Sequence, residues 1–475
     1  MKIITQLNLF EDHEMGDLEK ILTVLDGLPK TNLFQCLEER RRHGRRDYSV
    51  QSYFIAYVSK FILQLETDQQ LIRHLNMNSQ LRQICGFETH GVKLKNGTRK
   101  LVHAPSKSAF SRFIQDLVEL CPDVEYWVQS GVSGLYELLP DFGKELALDG
   151  KLIESYATPY GQKKKKDKRS DLDADFTCKE RHGNNGYVKK ENYYGFRCHL
   201  IVDAHYELPI AWEVTPASKG EQTVAKKMIS HLSEKVLDRA QYLMADRGYS
   251  GEPLQHLLED ADILPIIDAP HRWKEEETRQ YLDTDIVYNQ SGQVFWVDDQ
   301  CEEIELLYKG YDKSCDSLRY GFHPQYQTVE KARSQIEIRE YWVSYDVKWL
   351  SDRHPHWQKL SGIGMTKNTI DRDGVLTEEV RYFIISFKKD VETFASCVRG
   401  HWSVESMHWL LDVVYREDHN QTLDKRAAFN LNAIRKLCLY FLKVIQFPKK
   451  DLSYRRKQRY ISVHLNDYLP QLFGK

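Results

Sequence analysis

Three acidic residues, Asp149, Asp246 and Glu405, stand in contexts that suit metal-assisted phosphodiester chemistry. ELALDGK sets Asp149 at the end of an apolar run of strand character, and AQYLMADRGY does the same for Asp246. RGHWSVESMHWLLDVVY sets Glu405 in a segment with helical spacing. Hard divalent cations take oxygen ligands and retain waters, so three carboxylates suffice. Two Mg²⁺ ions about 3.5–4 Å apart, with Mn²⁺ as a substitute, would activate a water or a 3′-hydroxyl and stabilise the leaving oxygen. Asp149, on the first strand, is assigned the bridging role, with Asp246 completing one ion's shell and Glu405 the other's. Each has a plainer reading alone: Asp149 before Gly150 as a turn residue, Asp246 as a helix cap, Glu405 as an exposed helix glutamate. Their order on the expected element types links them. Asp412, Glu417 and Asp418 compete for the third place, Asp412 most closely because it lies two turns beyond Glu405 on a similar face.

The elements that must position these residues follow from periodicity. Residues 1–140 read as helical: SVQSYFIAYVSKFILQLE repeats Phe54, Val58, Phe61, Ile62 and Leu65 at helical spacing, and Ser106 caps a segment bearing Phe110, Phe113, Ile114 and Leu117. After Pro140 comes the short strand ending in Asp149, then a Lys-rich loop. YYGFRCHLIVDA and LPIAWEVTPA read as paired strands, GEQTVAKKMISHLSEKV as a helix and QYLMAD as the strand ending at Asp246. The helix GEPLQHLLED and the strand ADILPIID follow. Carboxylates at adjacent strand ends converge at one rim of a sheet, and this order matches an RNase H-like core. The interval from Asp246 to Glu405 is 159 residues, which predicts a β-rich insertion across 269–387, with DTDIVYNQSGQVFWVDD turning at Gln290–Gly292. In the segment around Glu405, Val404, Met407, Leu411 and Val414 form an apolar stripe beside Glu405, His408 and Asp412. The expected organisation is an α/β protein: a helical domain over 1–140, the first part of the core over 141–268, the insertion over 269–387, a helical completion over 388–446 and a basic, aromatic tail over 447–475.

Composition bounds the partners. The net charge is −2, so no general basic coat exists, but basic clusters occur at Arg40–Arg46, Lys163–Arg169 and Tyr454–Tyr460. Local patches of this kind can track a phosphate backbone. Lys107 and Arg112 on a candidate helix-turn-helix unit, Arg247 and Tyr249 beside Asp246, Arg399 and His401 before Glu405, and Arg435 and Lys436 on the last long helix are the candidate DNA contacts. A mean hydropathy of −0.57 and the lack of a long apolar run argue against a membrane span. Nine cysteines without a C-x-x-C pair fit reduced thiols in a cytoplasmic protein, one that DNA binding would bring to the nucleoid. Neither Cys178, His182, Cys198 and His199 nor Cys301 and Cys315 has structural-zinc spacing. A G-x-S-x-G elbow and a G-x-x-x-x-G-K-[ST] loop are both lacking.

At these motifs the chain resembles the DDE transposases of bacterial insertion sequences. LALDGK, the YYGFRCHLIVDA…LPIAWEVTPA pair and MADRGYSG resemble that family's two aspartate blocks, and RGHWSVESMHWLLDVVYREDHNQT its glutamate block. The β-rich insertion resembles the branch related to hairpin-forming cut-and-paste transposases. The resemblance covers roughly 140–445. It implies catalysis by Asp149, Asp246 and Glu405, two Mg²⁺ ions, double-stranded DNA with terminal inverted repeats, a target DNA and a homodimer in the DNA complex. That branch often carries Tyr, Arg and Lys at fixed offsets from the glutamate, where this chain has Val398, His401 and Asp412. Those residues leave open how phosphate charge is handled and whether a hairpin forms. An RNase H-like nuclease or domesticated recombinase with the same site, and a non-catalytic DNA-binding relative, are the alternatives; strand transfer of a pre-cleaved end and metal titration with end DNA separate them.

Overall fold

A computed structural model of the chain describes residues 33–41, 46–93, 97–120, 123–157, 159, 173–182, 188–269, 278–280, 284–289, 293–298, 302–306, 326–332, 335–353, 359–372, 374–417, 425–449 and 452–468. The Lys163–Arg169 run, the turn at Gln290–Gly292, Cys301, Cys315 and Asp418 lie outside them. The chain is a mixed α/β protein of two compact units, Met1–Ile266 with Ser396–Lys475, and Ile267–Ala395.

The first unit opens with helices α1 Leu33–Arg40, α2 Val50–Ile62, α3 Asp68–Met77 and α4 Ser79–Cys85. Ser49 caps α2, its side chain accepting from Ser52 N. Phe54, Val58, Phe61 and Ile62 are buried as their spacing predicts, but so is nearly every other residue of α2. A hairpin, β1 His90–Lys93 with β2 Arg99–Val102, interrupts the helices. Strands of four residues are too short to announce themselves by alternation. Ser106 caps α5 Lys107–Val118, whose Phe110 and Phe113 pack on Tyr53 and Tyr57. Helices α6 Asp123–Ser130 and α7 Val132–Leu138 complete this region.

The sheet of this unit is built on β3 Glu145–Glu154, β4 Asp175–His182, β5 Val188–Asp203, β6 Leu208–Pro216, β7 Tyr242–Ala245 and β8 Leu264–Asp268. Its order is β8-β7-β3-β5, the first half of β5 pairing with β4 and the second half lying between β3 and β6. Helices α8 Glu221–Ser230 and α9 Glu234–Leu237 lead from β6 to β7, and α10 Glu252–Asp260 leads on to β8. Two expectations need correction. β3 does not end at Asp149 but runs to Glu154, because Gly150 to Glu154 continue the antiparallel ladder with β5. β4 occupies part of the expected Lys-rich loop. Its charged stretch Lys179-Glu180-Arg181 hides the strand from a hydrophobicity reading, yet all three residues pair with β5.

In the second unit, β9 Thr278–Gln280, β10 Ile286–Asn289, β11 Val294–Val297 and β12 Glu303–Leu306 form one antiparallel sheet. β13 Tyr326–Ala332, β14 Gln335–Ser344, β15 Gly362–Arg372 and β16 Val375–Ile385 form an antiparallel meander, with α11 Lys348–Arg353 before β15.

The chain then enters α12 Val391–Gly400, α13 Trp402–Trp409, a π-helical turn Leu410–Val414 and α14 Lys425–Val444. α14 is buried along most of its length because α2, α5, α6 and β6 all pack on it. Asn430 Nδ2 donates to Leu117 O at 2.8 Å, and Tyr440 OH to Pro209 O at 2.7 Å, so this helix bonds both the N-terminal helices and the sheet. Residues 452–468 are not an extended tail: α15 Tyr454–Val463 and α16 Leu465–Tyr468 fold back so that Phe447, Tyr460 and Tyr468 pack together. Among the described residues no helix is long and apolar enough to cross a membrane.

Candidate active site

β3 and β7 are parallel, and their last pair is Leu148 with Ala245. Asp149 and Asp246 are the next residue on each strand, so the two carboxylates leave neighbouring strands at one level. β7 stops there because Asp246 caps a 3₁₀ turn, Arg247–Tyr249, its Oδ1 accepting from Gly248 N at 3.0 Å. Asp149 Oδ1 accepts from Gly150 N at 2.7 Å.

α13 packs across β3 and β5. The predicted stripe of Val404, Met407, Leu411 and Val414 is buried, and burying side chains of this size is worth about 1.5–3 kcal/mol each. The stretch RGH also matters. A Cβ on Gly400 would meet Met244 Cε at 2.8 Å and Ala204 Cβ at 3.3 Å, so glycine lets the helical segment close on β7 just before His401. With the apolar stripe turned inward, helical spacing sets His401, His408 and Asp412 on one line toward β3, with Glu405 beside it and exposed Trp402 and Trp409 beyond. His408 Nε2 faces Asp149 Oδ2 at 3.5 Å, a charge contact longer than an aligned hydrogen bond.

The two aspartates differ electrostatically. Burial pushes the Asp149 carboxyl up, but His408, the Gly150 N–H and the charge of His401 outweigh it and hold Asp149 below the usual carboxylate range. Burial and the charge of Asp149 together push Asp246 up, against His401, Gly248 and Arg247. The pair is therefore a like-charge site in which one member is readily ionised and the other resists ionisation. Among the described residues no three His, Cys, Asp or Glu side chains are gathered closely enough to hold a metal ion.

Below this rim lie polar groups that the sequence reading did not assign. Lys151, two positions after Asp149 and on the same face of β3, is paired with Asp412 and donates to Glu417 Oε2 at 3.0 Å. Glu417 is buried. That burial pushes its carboxyl up, but the charges of Lys151, Lys436 and Arg435 hold it below the usual range. On the opposite face of β3, buried His199 faces Tyr249 OH at 3.4 Å and Thr215 Oγ1 at 3.3 Å. Burial and the charge of Arg197 push His199 down to about 4, against the pull of Asp149. Period-two spacing from Asp149 is the signal that could have found Lys151.

Residues 144–442 match the family described as Transposase DDE domain, which covers more than half of the chain. The chain belongs to the DDE transposase family. "Putative transposase YncI" of Escherichia coli O157:H7 is 29% identical over 140 residues, 28% of this chain and 35% of that protein. "H repeat-associated putative transposase YhhI" of Escherichia coli strain K12 is 30% identical over 160 residues, 32% of this chain and 41% of that protein. The chain thus spans between about a third and two fifths of these curated relatives. A piggyBac transposase synaptic complex with hairpin DNA aligns over 97% of this chain and 82% of that one, at 10% identity and a TM-score of 0.41.

Asp149, Asp246 and Glu405 all fall inside the matched transposase domain. Lys107 and Arg112 are exposed on α5, outside it. Arg247 and Arg399 are exposed beside the site, and the Arg399 guanidinium lies 5.3 Å over the Trp402 ring. His401 is half-buried, and its buried Nδ1 makes no hydrogen bond among the described residues. Three expected DNA contacts do not fit that role. Tyr249 is fully buried against His199 and cannot stack on a base. Arg435 is buried over Phe61 at 4.6 Å and bonds Tyr415 O at 3.2 Å. Lys436 is buried over Trp212 at 4.7 Å. Their charge serves the interior around Glu417. A cleft of about 1150 Å³ between α2, α3, α5 and α14 has none of the three carboxylates among its lining residues.

Proposed function

We propose that the protein is a DNA transposase with an RNase H-like core that binds the terminal inverted repeats of its element, cleaves phosphodiester bonds at the ends and joins the freed 3′-hydroxyls to a target DNA. The observation that carries this reading is the Leu148–Ala245 register, which sets Asp149 and Asp246 side by side under the helix that bears Glu405. The donor chemistry suits a hard divalent cation: all three groups are carboxylates, and a bound cation would offset the burial and the like charge of Asp149 that push Asp246 up. Asp149, Asp246 and Glu405 would hold Mg²⁺, or Mn²⁺ in its place, as a pair of ions. Such ions polarise the scissile phosphate and the attacking oxygen.

The chain's own residues do the rest. Asp149, held below the usual carboxylate range, would be a ligand, and its Oδ2 faces His408 Nε2 at 3.5 Å. Glu405 approaches from the facing helix, next to the line of His401 and His408. Arg247 and Arg399, exposed on either side, bind backbone phosphates. Lys107 and Arg112 on α5 belong to a DNA-binding helical region, and the β-rich unit at Ile267–Ala395 is an insertion into the core. Pairing of two element ends requires a homodimer on DNA.

The test uses a duplex carrying the element end. Asp149→Asn, Asp246→Asn and Glu405→Gln each abolish Mg²⁺-dependent cleavage and leave end binding intact. Cleavage at the wild-type rate by any one of them removes that residue from the site.

A further inference from the structure

The helix that carries Glu405 is joined to β3 by two rungs. His408 faces Asp149 at 3.5 Å. One turn later Asp412 pairs with Lys151, which also donates to Glu417 at 3.0 Å. The two rungs are equally exposed, with side-chain values of 12% and 26% for His408 and Asp149 and 11% and 28% for Lys151 and Asp412. They differ in partners: Lys151 also reaches Glu417, only 3% exposed, which the Lys436 and Arg435 charges face from α14. Asp412 lies in the π-helical turn Leu410–Val414, where the wider winding re-aims side chains and which is a common device at functional sites.

We infer that Lys151 is a positioning residue: its bonds to Asp412 and Glu417 keep the Glu405 helix in register with β3 when Asp149 exchanges His408 for a cation. This rests on the reading of Asp149, Asp246 and Glu405 as cation ligands. It also accounts for an acidic residue seven positions beyond Glu405, since Asp412 receives its cation from the strand rather than supplying one to DNA.

The experiment measures Mn²⁺ binding to the full chain by titration calorimetry, alongside thermal unfolding and cleavage of end DNA. Lys151→Met weakens Mn²⁺ binding by about 10-fold or more, the range of outer-shell partners. It lowers kcat to a similar extent and leaves KM for the DNA unchanged. Lys151→Arg restores most of the Mn²⁺ affinity. A purely structural lysine would lower the melting temperature while the folded fraction bound Mn²⁺ as the wild type does, and that result overturns the inference. Should Lys151→Met not fold, Asp412→Asn carries the test, because Lys151 keeps Glu417: weaker Mn²⁺ binding supports the inference and wild-type binding overturns it. Asp149→Asn separates the two levels. If it binds Mn²⁺ like the wild type, the cation-site reading itself fails; if it loses binding while Lys151→Met keeps it, only the role of Lys151 fails.

Discussion

Two groups of charged side chains lie along the same helical segment, and their surroundings set them apart. At the rim, Asp149 and Asp246 stand side by side with like charge, a long contact to His408 and Glu405 exposed nearby. Below it, Lys151, Asp412, Glu417, Arg435 and Lys436 form a network of alternating sign, most of it buried. At the rim the side-chain contact is the 3.5 Å approach of His408 to Asp149, and both aspartates accept from backbone N–H groups. The network is costly to disturb at its buried members, because removing Glu417 leaves the Arg435 and Lys436 charges uncompensated in a medium of low dielectric. On the function proposed above, the rim would serve the chemistry and the network beneath it the registry.

The strongest challenge to this contrast is Asp246→Asn. Cleavage should fall by about a thousandfold or more, ~4 kcal/mol in the barrier, while stability stays level or rises because a like-charge neighbour of Asp149 has gone. Chemical denaturation beside a cleavage assay checks it, and a large loss of stability would make the rim structural. Next in size is Glu417→Leu, which takes the facing carboxylate from buried Arg435 and Lys436 while Lys151 keeps Asp412; about 3–5 kcal/mol of stability should be lost. Equal stability with impaired cleavage would move Glu417 to the chemistry.

His199 tests the layer beneath the rim. Its folded pKa of about 4 lies below the ordinary value of 6.5, so the fold holds the ring neutral. The resulting stability is complete above pH 6.5 and is lost as pH falls toward 4, by on the order of 3 kcal/mol. Denaturation midpoints across that window should drop in the wild type and drop less in His199→Gln. The smallest effect belongs to the exposed arginines. Arg247→Ala or Arg399→Ala should reduce the salt slope of DNA binding by about 1, measured by affinity over a salt series. An unchanged slope would take that residue off the DNA path.

The sequence by itself determined the local elements and the order of the acidic residues along them. Ser49 and Ser106 begin α2 and α5 as their side chains dictate, and the stripe of Val404, Met407, Leu411 and Val414 turns inward as its spacing requires. These are short-range consequences of capping and periodicity. Tertiary structure alone decided which basic residues are exposed and which carboxylates meet cations. Arg435 and Lys436 look like surface residues in the sequence, but α14 is enclosed by α2, α5, α6 and β6, so their charge is spent on Glu417. Tyr249 beside Asp246 looks available to a base, yet the 3₁₀ turn folds it under the sheet onto His199. The strand also outlasted the reading at Asp149, because only pairing with β5 extends β3 to Glu154 and so puts Lys151 on the face that meets Asp412. Burial and cross-strand register depend on contacts between residues hundreds of positions apart, and no local pattern carries them.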